Sequence, residues 1–362
     1  MDRNPFTTSF GKEPGCFLGR QTEENKIIED FTAEIPVQQV YMITGVRGSG
    51  KTALLTRVTR QLKNTEKWVT VELNPEKSLL EALVAKLSDE PRLRILFVKA
   101  KINLSLFGIN LGVGEDSPVN TIETALEKML SVLKKHQFRL LITIDEVTNT
   151  KEMRIFAGEF QILMRNEYPI YLIMTGLFKN IQDLQNVKSL TFLYRSPKIM
   201  LGSLSNIAVT ESYKSIFRVN SETAAEMAAQ VRGYAYAYQL YGSLCYNNKD
   251  KIGRKDLLTE YRNQLSEYVY EKLWSELSQK DKEIISIIAR HGDREVKVSE
   301  LIDEYNSIFP DQTPMNNRLM SVYRERLRKE SLISTEKYGY VQLVLPKFAD
   351  FVNEYGAIIL SF

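Results

Sequence analysis

The chain predicts an α/β fold, a parallel sheet flanked by helices, followed by an all-helical segment and then a small helix-and-hairpin unit. Three observations predict it. Short apolar runs alternate with amphipathic stretches over the first half, the pattern of strands joined by crossover helices. A glycine-rich octapeptide stands between the first of these runs and the helix after it. Beyond about residue 205 the strand-like runs stop and helical periodicity takes over.

The elements follow in order. Residues 1–37 are a Gly/Pro-punctuated lead-in and a helix over about 21–33. A first strand spans about 38–44, and a helix runs from the octapeptide to about Lys63. Trp68-Val69-Thr70-Val71-Glu72-Leu73 reads as a second strand and 78–88 as a helix. Apolar residues alternate over 98–113 on either side of Gly108, which predicts a hairpin insertion. Such a hairpin would cover the edge of the core or meet a partner. An amphipathic helix over 121–135 leads to Leu140-Leu141-Ile142-Thr143-Ile144, as apolar as a central parallel strand must be. A helix over 152–166, a buried strand over 170–175 and a last strand over 198–201 complete the series. Helices then dominate through 206–217, 221–232, 234–246 and 255–274. Three domains are expected, at 1–204, 205–275 and 276–362.

Composition narrows the class. The 362 residues, 43% hydrophobic and 26% charged, are ordinary for a globular chain. A formal net charge of +3 does not by itself imply a nucleic-acid partner. Cys16 and Cys245 stand in no ligand spacing and read as reduced thiols. His136 and His291, each flanked by charge, read as surface residues. No apolar run approaches the ~20 residues of a membrane span, and the opening Met1-Asp2-Arg3-Asn4-Pro5 lacks the apolar region of a signal peptide, so a cytoplasmic protein is expected.

The octapeptide carries the chemistry. Gly45-Val46-Arg47-Gly48-Ser49-Gly50-Lys51-Thr52 fits G-x-x-x-x-G-K-[ST], the phosphate-binding P-loop. Its glycines let backbone N–H groups turn toward a triphosphate, and the helix that opens with Ala53 adds the positive end of its dipole. Lys51 can reach the β- and γ-phosphates, and Thr52 can hold Mg²⁺. The alternative is a glycine-rich turn with a chance Lys-Thr. A strand ending in Asp145-Glu146 supplies the Walker B arrangement. Asp145 would hold Mg²⁺ through water, and Glu146 would orient or polarise the attacking water, which favours hydrolysis over mere binding of ATP.

On these residues the chain resembles the AAA+ ATPases, and more narrowly the origin-recognition and archaeal-initiator-like branch with its bacterial relatives. The resemblance begins with Asn4-Pro5-Phe6 and Phe17-Leu18-Gly19-Arg20 and covers nearly the whole chain. It implies that Leu18, Gly19 and Arg20 lie beside the adenine. It implies that Thr175 is the sensor-1 residue at the γ-phosphate, and that Arg195 is an arginine finger for a neighbouring subunit, so an oligomer is expected. Lys188 and Lys198 lie near enough to compete with Arg195 for that role. The usual sensor-2 arginine of the helical lid is missing. Gly233-Tyr234-Ala235 stands there instead, like the Gly-Tyr-Pro lid motif of some signalling ATPases, with Arg232 as an unmatched substitute.

Ser278-Gln279-Lys280-Asp281 opens the C-terminal unit with a capping-box-like start. A short helix follows near 299–305. Thr313-Pro314 is expected to open another, with Met315, Leu319, Val322 and Leu327 on its apolar face. Asn316, Asn317, Arg318, Ser321, Arg324 and Arg328 then face outward. A hairpin with Lys337 and Tyr338 at its tip closes the unit. Helix, helix, helix, hairpin is the winged-helix order, which the resemblance also implies. Arginines and amides on the third helix suit a major groove, and the hairpin tip suits the backbone or minor groove of duplex DNA. Two functions remain open. One is an ATP-driven switch that oligomerises and grips duplex DNA. The other is a signalling or defence ATPase whose winged helix meets protein.

Overall fold

The computed structural model describes residues 4–9, 14–109 and 121–355. The chain divides into two compact units. The first comprises Arg20–Thr44 and Lys51–Met200, and the second the described parts of Met1–Gly19, Gly45–Gly50 and Leu201–Phe362.

In the first unit the elements run α1 (Gln21–Thr32), β1 (Val40–Thr44), α2 (Lys51–Lys63), β2 (Trp68–Leu73), α3 (Leu79–Asp89), α4 (Pro91–Lys99), α5 (Ile122–Lys135), β3 (Arg139–Ile144), α6 (Lys151–Arg165), β4 (Ile170–Gly176), α7 (Phe178–Gln185), α8 (Thr191–Arg195) and β5 (Lys198–Met200). The sheet has the order β2-β3-β4-β1-β5, and every pairing is parallel. Strand composition follows position. β1 and β4 lie inside and are buried throughout, whereas the edge strands β2 and β5 carry exposed residues such as Glu72, Lys198 and Met200. One face packs Val40, Met42, Ile142, Leu172 and Met174 against α3, α5 and α6. The other face gathers Phe31, Tyr41, Trp68 and Tyr171, with Tyr171 4.9 Å from both Phe31 and Trp68. Arg139 lies over Trp68 and Tyr171 and donates to the carbonyls of Phe31 and Ala33 at the end of α1, where a cation complements the helix dipole. Thr121 and Thr150 cap α5 and α6 through their side chains.

The hairpin expected at 98–113 is not formed over 98–109, and residues 110–113 lie outside the described set. Pro91 opens α4, which runs to Lys99, and a 3₁₀ turn at Ser105–Phe107 ends on left-handed Gly108. Ile102 and Leu104 are buried from irregular backbone. The alternation there is therefore that of a loop pinned to the core by Ile102 and Leu104.

In the second unit, α9 (Asn206–Phe217), α10 (Ser221–Val231), α11 (Ala235–Asn247) and α12 (Lys255–Leu265) lead through a π turn at Ser266–Tyr270 into α13 (Glu271–Glu276). Then come α14 (Gln279–Arg290), β6 (Val296–Lys297), α15 (Val298–Ile308), α16 (Asn317–Lys329), β7 (Ile333–Ser334), β8 (Tyr340–Leu343) and α17 (Phe348–Tyr355). The last three strands form an antiparallel sheet of order β6-β8-β7. One continuous core runs from Phe6 to Val352. Cys16 and Cys245 are free thiols in it or against it. His291 is tied to Glu304 of α15 at 2.7 Å rather than being an independent surface residue. Ser278 caps α14 by accepting from the Asp281 amide, as its capping box requires. The helix expected to open at Thr313-Pro314 instead opens after Asn316, whose side chain accepts from the Leu319 amide. Asn306 explains the delay. It bonds both the N–H and the carbonyl of Met315 and so holds that residue out of the helix. The shift turns Met320 inward and leaves Val322 59% exposed, against the expected apolar face. Among the described residues no helix is long and apolar enough to cross a membrane.

Gly242 in α11 is a packing requirement. A Cβ there would stand 2.4 Å from the Phe6 ring, which also stacks on Phe217 at 5.7 Å. Gly158 in α6 has open space around it. Gly158→Ala should therefore stabilise the protein by about 0.5–1 kcal/mol, the ordinary helix preference. Gly242→Ala should destabilise it by about 1–3 kcal/mol, because overpacking outweighs that preference. Chemical denaturation of the two variants checks the opposite signs.

Candidate nucleotide site

The acidic strand end lies within the first unit. β3 delivers Asp145 to its carboxyl end, beside the carboxyl end of β4 and the first turn of α2. The Thr52 hydroxyl donates to Asp145 Oδ2 at 2.8 Å, and the Thr175 hydroxyl donates to Asp145 Oδ1. The Glu146 amide lies 3.1 Å from Asp145 Oδ1 and 3.2 Å from Thr175 Oγ1. Two hydroxyls, from α2 and β4, and the amide after β3 thus converge on one carboxylate. Thr175 is fully buried and Lys51 is nearly so. Glu146 takes a left-handed φ of 55° and its side chain is exposed at the strand end. Hard oxygen donors, a hydroxyl and a carboxylate, suit Mg²⁺.

The loop Gly45–Gly50 packs within the second unit. Gly50 has a φ of +94° with open space at its Cβ position, so it is needed for conformation alone. Gly48, at φ +76°, is needed for space as well. A Cβ there would lie 2.3 Å from the Tyr234 hydroxyl. That hydroxyl donates to the Arg47 carbonyl at 2.6 Å, and the Tyr236 amide donates to the Gly48 carbonyl at 3.0 Å. The Arg47 guanidinium reaches Glu276 of α13 at 2.9 Å. Val46 and Ser49 line a small cavity of about 20 Å³ with Gly202, Gly233, Tyr234 and Leu345. Gly233 is left-handed, and a Cβ on it would meet the Leu204 carbonyl at 2.5 Å. Leu18 packs on the core of this unit. Gly19 is left-handed, and a Cβ there would lie 3.6 Å from Leu204.

Of the remaining expected residues, Arg20 is buried, with Glu23 at 3.9 Å, and burial pulls its pKa down. Arg195 is exposed at the end of α8 and lines a recess of about 320 Å³ with Val37, Gln39, Gln161 and Met164. It lies at the amino end of β5 and β1, whereas Asp145 and Thr175 lie at strand carboxyl ends. The five residues of β1 separate these edges by about 17 Å at ~3.3 Å per residue. The structure therefore does not bring Arg195 to its own chain's acidic pair. Lys198 donates to Gln185 at 3.1 Å instead. The Arg232 side chain is directed to partners outside the loop. Its guanidinium donates to Asp293 at 2.6 Å and to the Leu343 carbonyl at 2.8 Å.

On α16, Asn317, Arg318 and Ser321 are exposed, while Asn316 spends its carbonyl oxygen on the cap. Arg328 pairs with Glu325 at 2.9 Å, and Arg328, with Lys329, pulls the Glu325 carboxyl pKa down to about 2. Arg324 is half-buried with its pKa lowered by burial, and its Nε has no hydrogen-bond partner among the described residues. At the hairpin tip Tyr338 is 99% exposed, while Lys337 is paired with Glu295 at 3.1 Å and lies over Tyr340. Sequence patterns could not reveal Glu276, Asp293 or the hydroxyl role of Tyr234, because each acts across a large sequence separation with no motif of its own.

Comparison with known proteins agrees with this geometry. A family model described as an ATPase domain predominantly from Archaea matches residues 17–187, and a domain of unknown function matches residues 267–352. No curated protein sequence matches significantly. Among solved structures, the Walker-type ATPase of Pyrococcus abyssi is similar with a TM-score of 0.67 at 15% identity, covering 94% of this chain and 97% of that one. The Aeropyrum pernix ORC2 protein, in its ADPNP–ADP complexes, is similar with a TM-score of 0.64 at 14% identity, covering 99% and 98%. Residues 17–187 thus match the model of an ATPase domain, and the chain shares its fold with these two structures.

Proposed function

We propose that this protein is an ATP-driven switch that hydrolyses ATP to ADP and phosphate, assembles with further subunits and grips duplex DNA. The observation that carries the reading is the convergence of Thr52 and Thr175 on Asp145 beside the exposed Glu146. Residues 45–52, with Ala53 at the start of α2, would bind the triphosphate, Lys51 offsetting its β/γ charge. Thr52 and Asp145 would hold Mg²⁺, which neutralises phosphate charge when bound. Glu146 would orient the attacking water and take up its proton. Thr175 would fix that carboxylate pair and sense the γ-phosphate. The opposite-edge position of Arg195 supports its action on a neighbour's nucleotide rather than its own.

Residues 205–275 would form the lid and 276–362 a winged helix, a reading supported by the order α14, α15, α16, hairpin. Arg318, Ser321 and Tyr338 are then its most accessible DNA-facing groups, with Asn316, Asn317, Arg324, Arg328 and Lys337 around them. A second reading has its own support. The pairing of Arg328 with Glu325 and of Arg326 with Asp281 leaves α16 less cationic than its sequence, which suits a protein partner in a signalling or defence ATPase. Cytoplasmic placement fits either reading.

Glu146→Gln should bind ATP as the wild type does while turnover falls on the order of 10²-fold or more, the contribution of a positioned base. Steady-state phosphate release alongside nucleotide titration checks this, and unchanged turnover would refute the role. Arg195→Ala should leave nucleotide binding intact and lower turnover on the order of 10³-fold in assembled protein alone. An equal fall in isolated monomer would remove the trans role. Arg318→Ala/Arg324→Ala should weaken duplex binding measured by fluorescence anisotropy at ~50 mM salt, where phosphate contacts are strongest. Absence of wild-type binding there would favour the protein-partner reading.

A further inference from the structure

The lid lacks an arginine at the expected place, yet it is attached to the phosphate loop by another route. Tyr234 and Tyr236 hold two successive loop carbonyls, those of Arg47 and Gly48. In a trans peptide the carbonyl and the N–H point in opposite directions. Fixing the Arg47 carbonyl on the Tyr234 hydroxyl therefore turns the Gly48 N–H to the other side of the loop. Glycine at 48 answers two demands: its φ of +76° is a left-handed backbone, and the Tyr234 hydroxyl stands 2.3 Å from where a Cβ would be. Tyr234 is itself 4% exposed, and burial drives its phenol pKa upward, so it remains a donor at neutral pH.

Two residues earlier the same turn grips another element. Arg232, in the left-handed region at φ 46°, donates to Asp293 and to the carbonyl of Leu343 in β8. Gly233 between them cannot gain a side chain without striking the Leu204 carbonyl, and its own carbonyl accepts from the Leu204 amide at 2.7 Å. Phosphate loop and C-terminal sheet are thereby joined through three consecutive residues, pinned at the middle.

We propose that Arg232-Gly233-Tyr234 is a rigid bracket that sets the phosphate loop and passes its nucleotide occupancy to the β6-β8-β7 sheet. Tyr234 is a positioning residue, acting on the loop backbone through its hydroxyl. Arg232 is the output arm. The Arg47–Glu276 ion pair gives the loop a second tie to the helices leading into the C-terminal unit. The inference rests on the reading of residues 45–52 as a nucleotide site.

The test titrates the full chain with a fluorescent ATP analogue and Mg²⁺, then follows hydrogen exchange of β8 with and without ATP. Wild type should bind the analogue and show slowed exchange at 340–343 on binding. Tyr234→Phe removes only the hydroxyl and should weaken nucleotide binding about tenfold, because the loop is no longer pre-set, while the unfolding midpoint falls by only a few degrees for the one lost hydrogen bond. Arg232→Gln should bind nucleotide as the wild type does but lose the ATP-dependent protection of β8. Wild-type binding by Tyr234→Phe, or full protection in Arg232→Gln, would overturn the bracket while leaving the nucleotide site standing. Failure of the wild type to bind nucleotide would remove both.

Discussion

One carboxylate organises the acidic end of the sheet. Asp145 follows a strand with no water on either face, and a charge there must be compensated by donors close at hand. It receives hydroxyls from α2 and β4 and lies within reach of the amide of its own successor. Because these donors come from separate elements, compensating the charge also fixes the register of β3 against β4 and the approach of α2. The left-handed backbone of Glu146 follows from the same demand, since its amide must turn back toward the carboxylate and Thr175. Its side chain is then presented to solvent, where a water can reach it.

A comparable economy governs the arginines. A row of basic residues on α16 looks like a cationic face, but charge pairing redistributes it. Arg326 is taken by Asp281, the residue that also closes the α14 cap, and Arg328 by Glu325. Arg318 and Ser321 are left on the open face. In the same way Arg232 is drawn to Asp293 and β8 rather than to the phosphate loop. The glycines divide similarly. Gly50 serves conformation, whereas Gly48, Gly233 and Gly242 make room for a hydroxyl, a carbonyl and a ring.

The inner strands β1, β3 and β4 were legible almost residue by residue, because a parallel strand buried on both faces must be apolar throughout, and the edge strand β2 through its alternation. The helix cap at Ser278 was equally local. Residues 98–109 misled because an irregular loop can also bury every second side chain, as Ile102 and Leu104 do. The start of α16 misled because Asn306, several residues away, holds Met315 out of the helix.

By itself the sequence determined the parallel sheet, the phosphate loop and the acidic pair, since these depend on hydrophobic period and on residue types at fixed short spacing. Tertiary structure alone decided which arginines stay available, what space Gly48 leaves for the Tyr234 hydroxyl, and how Tyr234 and Arg232 tie the loop to the last sheet. Apart from the local Arg328–Glu325 pair, those outcomes depend on partners from 45 to 229 residues away, whose proximity is set by packing and leaves no periodic trace in the chain.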